Sequence, residues 1–256
     1  MISGILDNFK NKLSRGDAVY GPFMKSLDGS FVECTGHAGF DFAILDMEHG
    51  PASFSETQEL IRAAILANLL PIVRTHDASE SAISKALDLG AGGVQVPQIQ
   101  SADEAHAVVR AARYFPQGER GVCRFVRAAN YSSTPRNEYF AKANRALVIP
   151  QVEGKKGLEA LDEILSVEGL DILFIGPYDL SQSLGVPGDV SNPVVINAIK
   201  DITERAKKRG VVTGVFADTI EAAARWKNAG IQYLSYSVDV GIYTEACKNI
   251  LLSIKN

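Results

Sequence analysis

Short, β-branched apolar runs alternate along the chain with longer stretches in which apolar residues recur at helical spacing, the pattern of parallel strands joined by helical crossovers. The runs predict strands over Ala18–Met24, Phe42–Met47, Leu70–Thr75, Gly93–Val96, Leu147–Val152, Ile172–Ile175, Val211–Phe216 and Tyr233–Ser237. Helical spacing covers Ser55–Ala67, Glu80–Leu89, Ala102–Tyr114, Gly157–Val167, Pro193–Arg209 and Thr219–Asn228, and the N-terminal M-I-S-G-I-L-D-N-F-K-N-K-L-S-R-G-D shows it too. Ser53 or Ser55, Ser79, Ser101, Asn192 and Asp218 stand where N-caps are expected. Strand and helix pairs at this rhythm, with no linker or break in composition, predict a single (β/α)8 TIM barrel over residues 1–256, with a doubly wound sheet as the rival. The stretch Pro116–Arg145 is poor in strand pattern and long for a loop, so it reads as an active-site insertion or lid with a short helix near Tyr139–Asn144.

Composition narrows the class. At 256 residues, 46% hydrophobic and 22% charged, the chain can bury a sizeable core without disulfide or metal staples. Thirty acids against 26 bases leave a net charge of −4, which supplies no field for gathering a phosphate backbone, so nucleic acid is not an expected partner. Cys34, Cys123 and Cys247 are widely spaced and form neither a CxxC pair nor a disulfide framework, which fits a reducing cytoplasm. No secretory signal pattern or run of about 18 apolar residues is present, so no membrane association is expected.

In a barrel of this kind, chemistry belongs where strands end and helices begin. The expected strand ends carry Asp46, Glu48 and His49; Arg74 and His76; Gln95 and Gln98; Gln151 and Glu153; Tyr178 and Asp179. Glu153 and Asp179 bring two hard carboxylate ligands from consecutive strand ends, which suits Mg²⁺ or Mn²⁺ with other positions left to water and substrate. Either could instead be a helix-capping acid. His49 is the candidate general base, with Asp46 and Asp88 as the acids that could orient it. Arg74 is an obligate cation suited to a carboxylate or a developing oxyanion, although a rim salt bridge would also explain it. None of Lys25, Lys85, Lys142, Lys155 and Lys156 lies inside an expected strand near the acidic cluster, where a Schiff-base lysine would be needed.

The blocks D-F-A-I-L-D-M-E-H-G-P, I-V-R, K-A-L-D-L-G-A, V-P-Q, R-Y-F-P-Q-G-E-R-G-V, P-Q-V-E and D-I-L-F-I-G-P-Y-D-L-S-Q-S-L-G, in order from about Gly39 to Gly188, resemble the HpcH/HpaI aldolases, metal-dependent class II pyruvate aldolases. The resemblance implies His49 as general base, Arg74 as the stabilising arginine and Asp88 as the acid that raises the basicity of the histidine. It implies Glu153 and Asp179 as metal ligands and Gln151 with the Tyr178–Asp179 segment as the hold on pyruvate. Asp46 and Glu48 match a shared motif in a supporting role. The sequence departs from many members at Tyr178, where a small residue is common, and at Cys123, where glycine is.

The implied reaction cleaves a 4-hydroxy-2-keto acid to pyruvate and an aldehyde, with Mg²⁺, Mn²⁺ or Co²⁺ and no organic cofactor. A citrate-lyase-like acyl-CoA lyase, a metal-dependent 2-keto-acid decarboxylase and a non-catalytic 2-keto-acid-binding protein remain alternatives. Arg120, Arg124 and Arg127 hint at an acidic or hydroxylated aldehyde, unless they are solvated or interface charges. Gly241–Ile254 carries a broad apolar helical face. With the resemblance, it implies a homohexamer, a dimer of trimers, whose last helix is exchanged between subunits that contribute to one another's sites.

Overall fold

In the computed structural model, residues 2–255 are described. Eight strands, β1 (Val19–Met24), β2 (Phe42–Asp46), β3 (Leu70–Arg74), β4 (Gly93–Val96), β5 (Leu147–Val152), β6 (Ile172–Ile175), β7 (Val212–Ala217) and β8 (Tyr233–Val238), close in chain order into one parallel barrel. This is the expected fold. The helices are α1 (Ile2–Ser14), α2 (Gly29–His37), α3 (Phe54–Leu66), α4 (Glu80–Asp88), α5 (Ala102–Ala112), α6 (Arg136–Ala143), α7 (Lys155–Glu159), α8 (Leu161–Ile164), α9 (Pro177–Ser183), α10 (Pro193–Lys208), α11 (Ile220–Asn228) and α12 (Asp239–Lys255). The single helix expected over Gly157–Val167 is two short ones, α7 and α8. Four expected caps hold, with Ser53, Ser79, Ser101 and Asn192 accepting from first-turn N–H groups. Thr219, not Asp218, caps α11, which frees the Asp218 carboxylate for another partner.

Period-two alternation divides the strand residues between two cores. One set, including Ala43, Leu45, Val73, Val94, Val148, Leu173 and Val215, packs outward against the helices. The other, Phe42, Ile44, Leu70, Ile72, Leu147, Ile149, Ile172, Phe174 and Tyr233, fills the barrel. Helix α1 closes the N-terminal end, where Phe9 meets Phe42 and Tyr233 edge-on with ring centroids 5.9 and 6.2 Å apart. Gly21 is required in β1, because a Cβ there would lie 2.0 Å from the Phe42 carbonyl oxygen. Among the described residues, no helix is long and apolar enough to cross a membrane.

The segment read as a lid is not one in this chain. It connects α5 to β5, so it lies at the end of the barrel opposite the strands' C-termini. There Tyr114, Ala129 and Tyr139 form a small core, and the Tyr114 and Tyr139 hydroxyls bond at 2.9 Å. Three of its arginines are occupied locally: Arg120 by Asp88, Arg124 by the Ser132 and Thr134 carbonyls, and Arg127 by the Leu89 carbonyl. The expectation failed because an irregular stretch in sequence does not say which end of a barrel it joins. A cavity of about 560 Å³, lined among others by Leu6, Arg62, Arg127 and Tyr131, opens at this same end.

Candidate active site

The inward face of the barrel changes character along its axis. In β2 it runs Phe42, Ile44, Asp46, in β3 Leu70, Ile72, Arg74, and in β5 Leu147, Ile149, Gln151, so each strand ends on a polar group above two apolar layers. Register places Asp46 beside Arg74 and Arg74 beside Gln95. The same alternation that builds the core therefore aims these side chains into the mouth.

Arg74 is 8% exposed and held on two sides by carboxylates. Its Nε and Nη2 donate to the two Asp46 oxygens, each at 2.8 Å, while Nη1 lies 2.9 Å from Glu48 Oε2. The guanidinium rests on the Phe23 ring, 4.5 Å from its centroid. Burial pushes the Asp46 carboxyl up, but the Arg74 hydrogen bonds and charge, the His49 N–H and Lys25 outweigh it and hold the group below its ordinary range. Burial keeps Glu48 above its ordinary range despite Arg74 and His49, with Asp46 and Asp179 adding repulsion. Asp46 and Glu48 thus clamp the arginine.

Glu153 stands just past β5 and is 5% exposed. Its Oε1 accepts the Gln98 backbone N–H at 2.8 Å, and its Oε2 accepts from Gln151 Nε2. Gln151 is itself set by Gln95, whose Nε2 donates to Gln151 Oε1 at 2.7 Å. Gln98 holds φ at 57°, in the left-handed region, which turns its N–H onto the carboxylate. Gly176 leaves room for it, since a Cβ there would lie 2.3 Å from Glu153 Oε2. Burial pushes Glu153 up to about 7; Gln151 and Gln98 pull it down, while Asp179 and Glu48 add like charge. Asp179 sits in the first turn of α9, where the fold brings it to Glu153.

His49 follows β2 on a bend, its side chain 57% exposed at the mouth. Its backbone N–H donates to Asp46 Oδ1 at 3.2 Å, and its Nε2 lies 3.9 Å from Glu48 Oε2. His76, the weaker histidine candidate, pairs instead with the adjacent Asp77 at 3.4 Å. Asp88 is not brought to His49 within one chain. It ends α4 at the far end of the barrel and takes Arg120 Nη2 at 2.6 Å. Tyr178 turns its phenol away from Asp179 and donates its O–H to Asp218 Oδ2 at 2.6 Å.

The strand-end criterion overlooked two residues. Lys25 directly follows β1, and its Nζ lies 3.8 Å from Asp46 Oδ2, so a lysine does reach the acidic cluster. That lysine is 32% exposed among carboxylates, without the apolar enclosure that imine chemistry uses. Asp218 directly follows β7 and had been read as a cap. Both sit one residue beyond a strand, where the rule applied to either would have found it.

Taken together, two carboxylates, one of them pushed toward neutrality first by burial and then by like charge, fit a hard divalent cation, which would relieve both. Among the described residues, no group of three His, Cys, Asp or Glu side chains forms a closed metal cage. A site with two protein ligands leaves its other positions to water and substrate.

The family model of HpcH/HpaI aldolase/citrate lyase matches residues 20–246. The chain belongs to that family. It is an enzyme of the aldolase type, as its motifs implied. The 2-keto-3-deoxy-L-rhamnonate aldolase of Salmonella paratyphi A is 35% identical over 258 residues, covering 100% of this chain and 96% of that protein. An HpcH/HpaI aldolase/citrate lyase family protein from Burkholderia cenocepacia J2315 superimposes with a TM-score of 0.92 at 32% identity, over 97% of this chain and 99% of that one. The citrate synthase SbnG follows with a TM-score of 0.86 at 32% identity, over 96% of each chain.

Proposed function

We propose that this HpcH/HpaI family member cleaves a 4-hydroxy-2-keto acid of the 2-keto-3-deoxy sugar-acid type to pyruvate and an aldehyde, and joins the two in reverse. The observation that carries the reading is the meeting of Glu153 and Asp179 with a clamped Arg74 at one barrel mouth. Glu153 and Asp179 would hold Mg²⁺ or Mn²⁺, with Gln151 and the backbone of the Tyr178–Asp179 segment at the pyruvate part. When bound, the ion supplies Lewis acidity toward the keto and carboxylate oxygens.

The chain's own groups do the rest. Asp46 takes two of the guanidinium's donors and Glu48 pairs with Nη1 by charge, so the guanidinium is fixed in place with N–H groups left to meet the negative charge that develops on the keto oxygen. His49, open to solvent beside Glu48, takes the proton from the C4 hydroxyl as the C3–C4 bond breaks and its electron pair passes to the pyruvate enolate, whose C3 then takes up a proton to give pyruvate; in the condensation direction His49 returns the proton to the new C4 oxygen. Incubation of the Mg²⁺-loaded enzyme with a 2-keto-3-deoxy sugar acid is expected to yield pyruvate and aldehyde in equal amounts. Release of CO₂ instead would make it a decarboxylase, and turnover only with an acyl-CoA ester would make it an acyl-CoA lyase.

The reading includes an assembly. Helix α12 has 17 residues, of which only Asp239 is buried, while Ile250, Leu251, Leu252 and Ile254 are 60, 51, 60 and 76% exposed. So much apolar surface on one terminal helix calls for a partner copy. A homohexamer built as a dimer of trimers, with α12 exchanged between neighbours, would cover it. It would also allow a second copy's Asp88 to approach His49, which the single chain's geometry does not permit. Deletion from Gly241 onward is expected to abolish both assembly and activity. Light scattering that found a fully active monomer of about 28 kDa, the mass of one 27.6 kDa chain, would contradict it.

A further inference from the structure

Two side chains at the mouth, neither a proposed cation ligand nor a contact of Arg74, meet across neighbouring strand ends; of Tyr178 it is the backbone that the reading above sets at the pyruvate part. Tyr178 stands in the first turn of α9, after β6, and Asp218 follows β7, the strand paired with β6. The Tyr178 hydroxyl donates to Asp218 Oδ2 at 2.6 Å, a short, charge-assisted bond. The Tyr178 ring lies 6.0 Å from that of Phe216, and Phe216 lies 5.8 Å from Phe23, the ring that carries Arg74. An unbroken line of aromatic rings thus joins the pair to the arginine, while the chain joins Tyr178 directly to Asp179. Tyr178 nevertheless remains 44% exposed, so the ledge it forms is open to a ligand.

The direction of the Tyr178–Asp218 bond decides what this ledge can recognise. An ionised carboxylate only accepts, so the phenol proton is committed to Asp218, and what the pair presents outward is the phenol oxygen's remaining acceptor capacity and the second carboxylate oxygen. Acids gather on this side of the rim. Beyond the effect of burial, Glu245, Glu221 and Asp218 all push the neighbouring Tyr236 phenol upward. A surface made of acceptors among acids binds hydroxyl donors and repels carboxylates.

We propose that Tyr178 and Asp218 together determine acceptor specificity, selecting neutral aldehydes that carry a hydroxyl beside the carbonyl and excluding aldehydes that carry a carboxylate. The proposal rests on the pyruvate and aldehyde reading of the site, and goes beyond it by assigning the aldehyde's chemical class to two named side chains. Of the acidic or hydroxylated aldehyde hinted at by Arg120, Arg124 and Arg127, it keeps the hydroxylated one and drops the acidic one, since those arginines lie at the other end of the barrel in this chain.

The test is kcat/KM for condensation of pyruvate with lactaldehyde, propanal and succinic semialdehyde, measured on the full-length Mg²⁺ enzyme, on Tyr178→Phe and on Asp218→Asn. Exchange of the pyruvate methyl protons in D₂O without aldehyde is followed in parallel. The wild-type enzyme is expected to favour lactaldehyde over each of the other two by about tenfold or more. Both variants should lose most of the preference over propanal, mainly through KM for the hydroxyaldehyde, and Asp218→Asn should also admit the semialdehyde. Tyr178→Phe removes only one oxygen, so it keeps the test valid if the other variant folds poorly. Unchanged aldehyde ratios in the variants, or a wild-type preference for the semialdehyde, with methyl exchange intact, would overturn the specificity assignment alone. Absence of exchange in the wild type would overturn the underlying pyruvate reading and this proposal with it.

Discussion

Glu153→Gln is expected to lower kcat/KM by about a thousandfold or more and to remove Mg²⁺ or Mn²⁺ binding with it, because the substitution takes away a ligand and not merely a supporting hydrogen bond. Gln is nearly isosteric, so Gln98 and Gln151 keep most of their packing. The same variant carries a stability signature with a definite sign. In the chain without metal, burial raises Glu153 to about 7, so the folded state holds its proton longer than the unfolded chain does. Stability is then greatest near the unfolded value of 4.5 and falls as pH rises toward 7, by on the order of 3 kcal/mol. Asp46 is held below its ordinary 3.8 and acts only at lower pH, outside this window. Thermal melts between pH 5 and pH 7.5 should therefore show the metal-free wild type losing stability as pH rises, Glu153→Gln showing a flatter profile, and Mg²⁺ restoring the wild type at the upper end. A metal-free wild type with a flat profile, or a Glu153→Gln variant that binds metal as tightly as wild type, would sink the ligand assignment.

Arg74→Ala should cost about 10²–10³ in kcat, the usual price of removing a donor aimed at a developing oxyanion, while metal affinity survives. It has a second consequence, which a fair experiment separates. The Asp46 side chain is fully buried, and without Arg74 its nearest cation is the half-exposed Lys25 at 3.8 Å. Leaving a buried charge without its partner destabilises a fold by about 3–5 kcal/mol. Arg74→Ala combined with Asp46→Ala removes both charges and should recover much of that stability without recovering turnover. Arg74→Lys should also fail catalytically, since an ammonium cannot reproduce the bidentate Asp46 contact while reaching toward Glu48. Wild-type kcat in a folded Arg74→Ala protein would show that Arg74 is a structural ion pair only.

The barrel was legible because its signal is local and repeated: the strands are short apolar runs, and the crossovers helical patterns, four of them behind a Ser or Asn cap. Most of the mouth was legible for the same reason. Asp46, Arg74, Gln151 and Glu153 each continue the inward alternation of a strand by one more polar residue, and Asp179 opens the helix that follows β6. What failed depended on distance across the fold. Pro116–Arg145 looked like a lid because it is irregular and rich in arginine, but only topology assigns it to the α5–β5 side. Asp88 matched a motif beside His49 in function, yet it ends a helix that runs away from the mouth, and no property of a single chain's sequence reveals a contact that would need a second copy. Lys25 and Asp218 escaped because they follow β1 and β7, strands whose ends were not among those read for chemistry, and Asp218 also suited a helix cap.

Pyruvate release from a 2-keto-3-deoxy sugar acid, followed as Mg²⁺ is titrated back into EDTA-stripped protein, tests the central claim most directly. The account predicts no turnover in excess EDTA, saturable recovery with Mg²⁺ or Mn²⁺, and no covalent adduct when borohydride is added during turnover. Full turnover in excess EDTA, with borohydride fixing pyruvate to a lysine such as Lys25 beside Asp46, would contradict it.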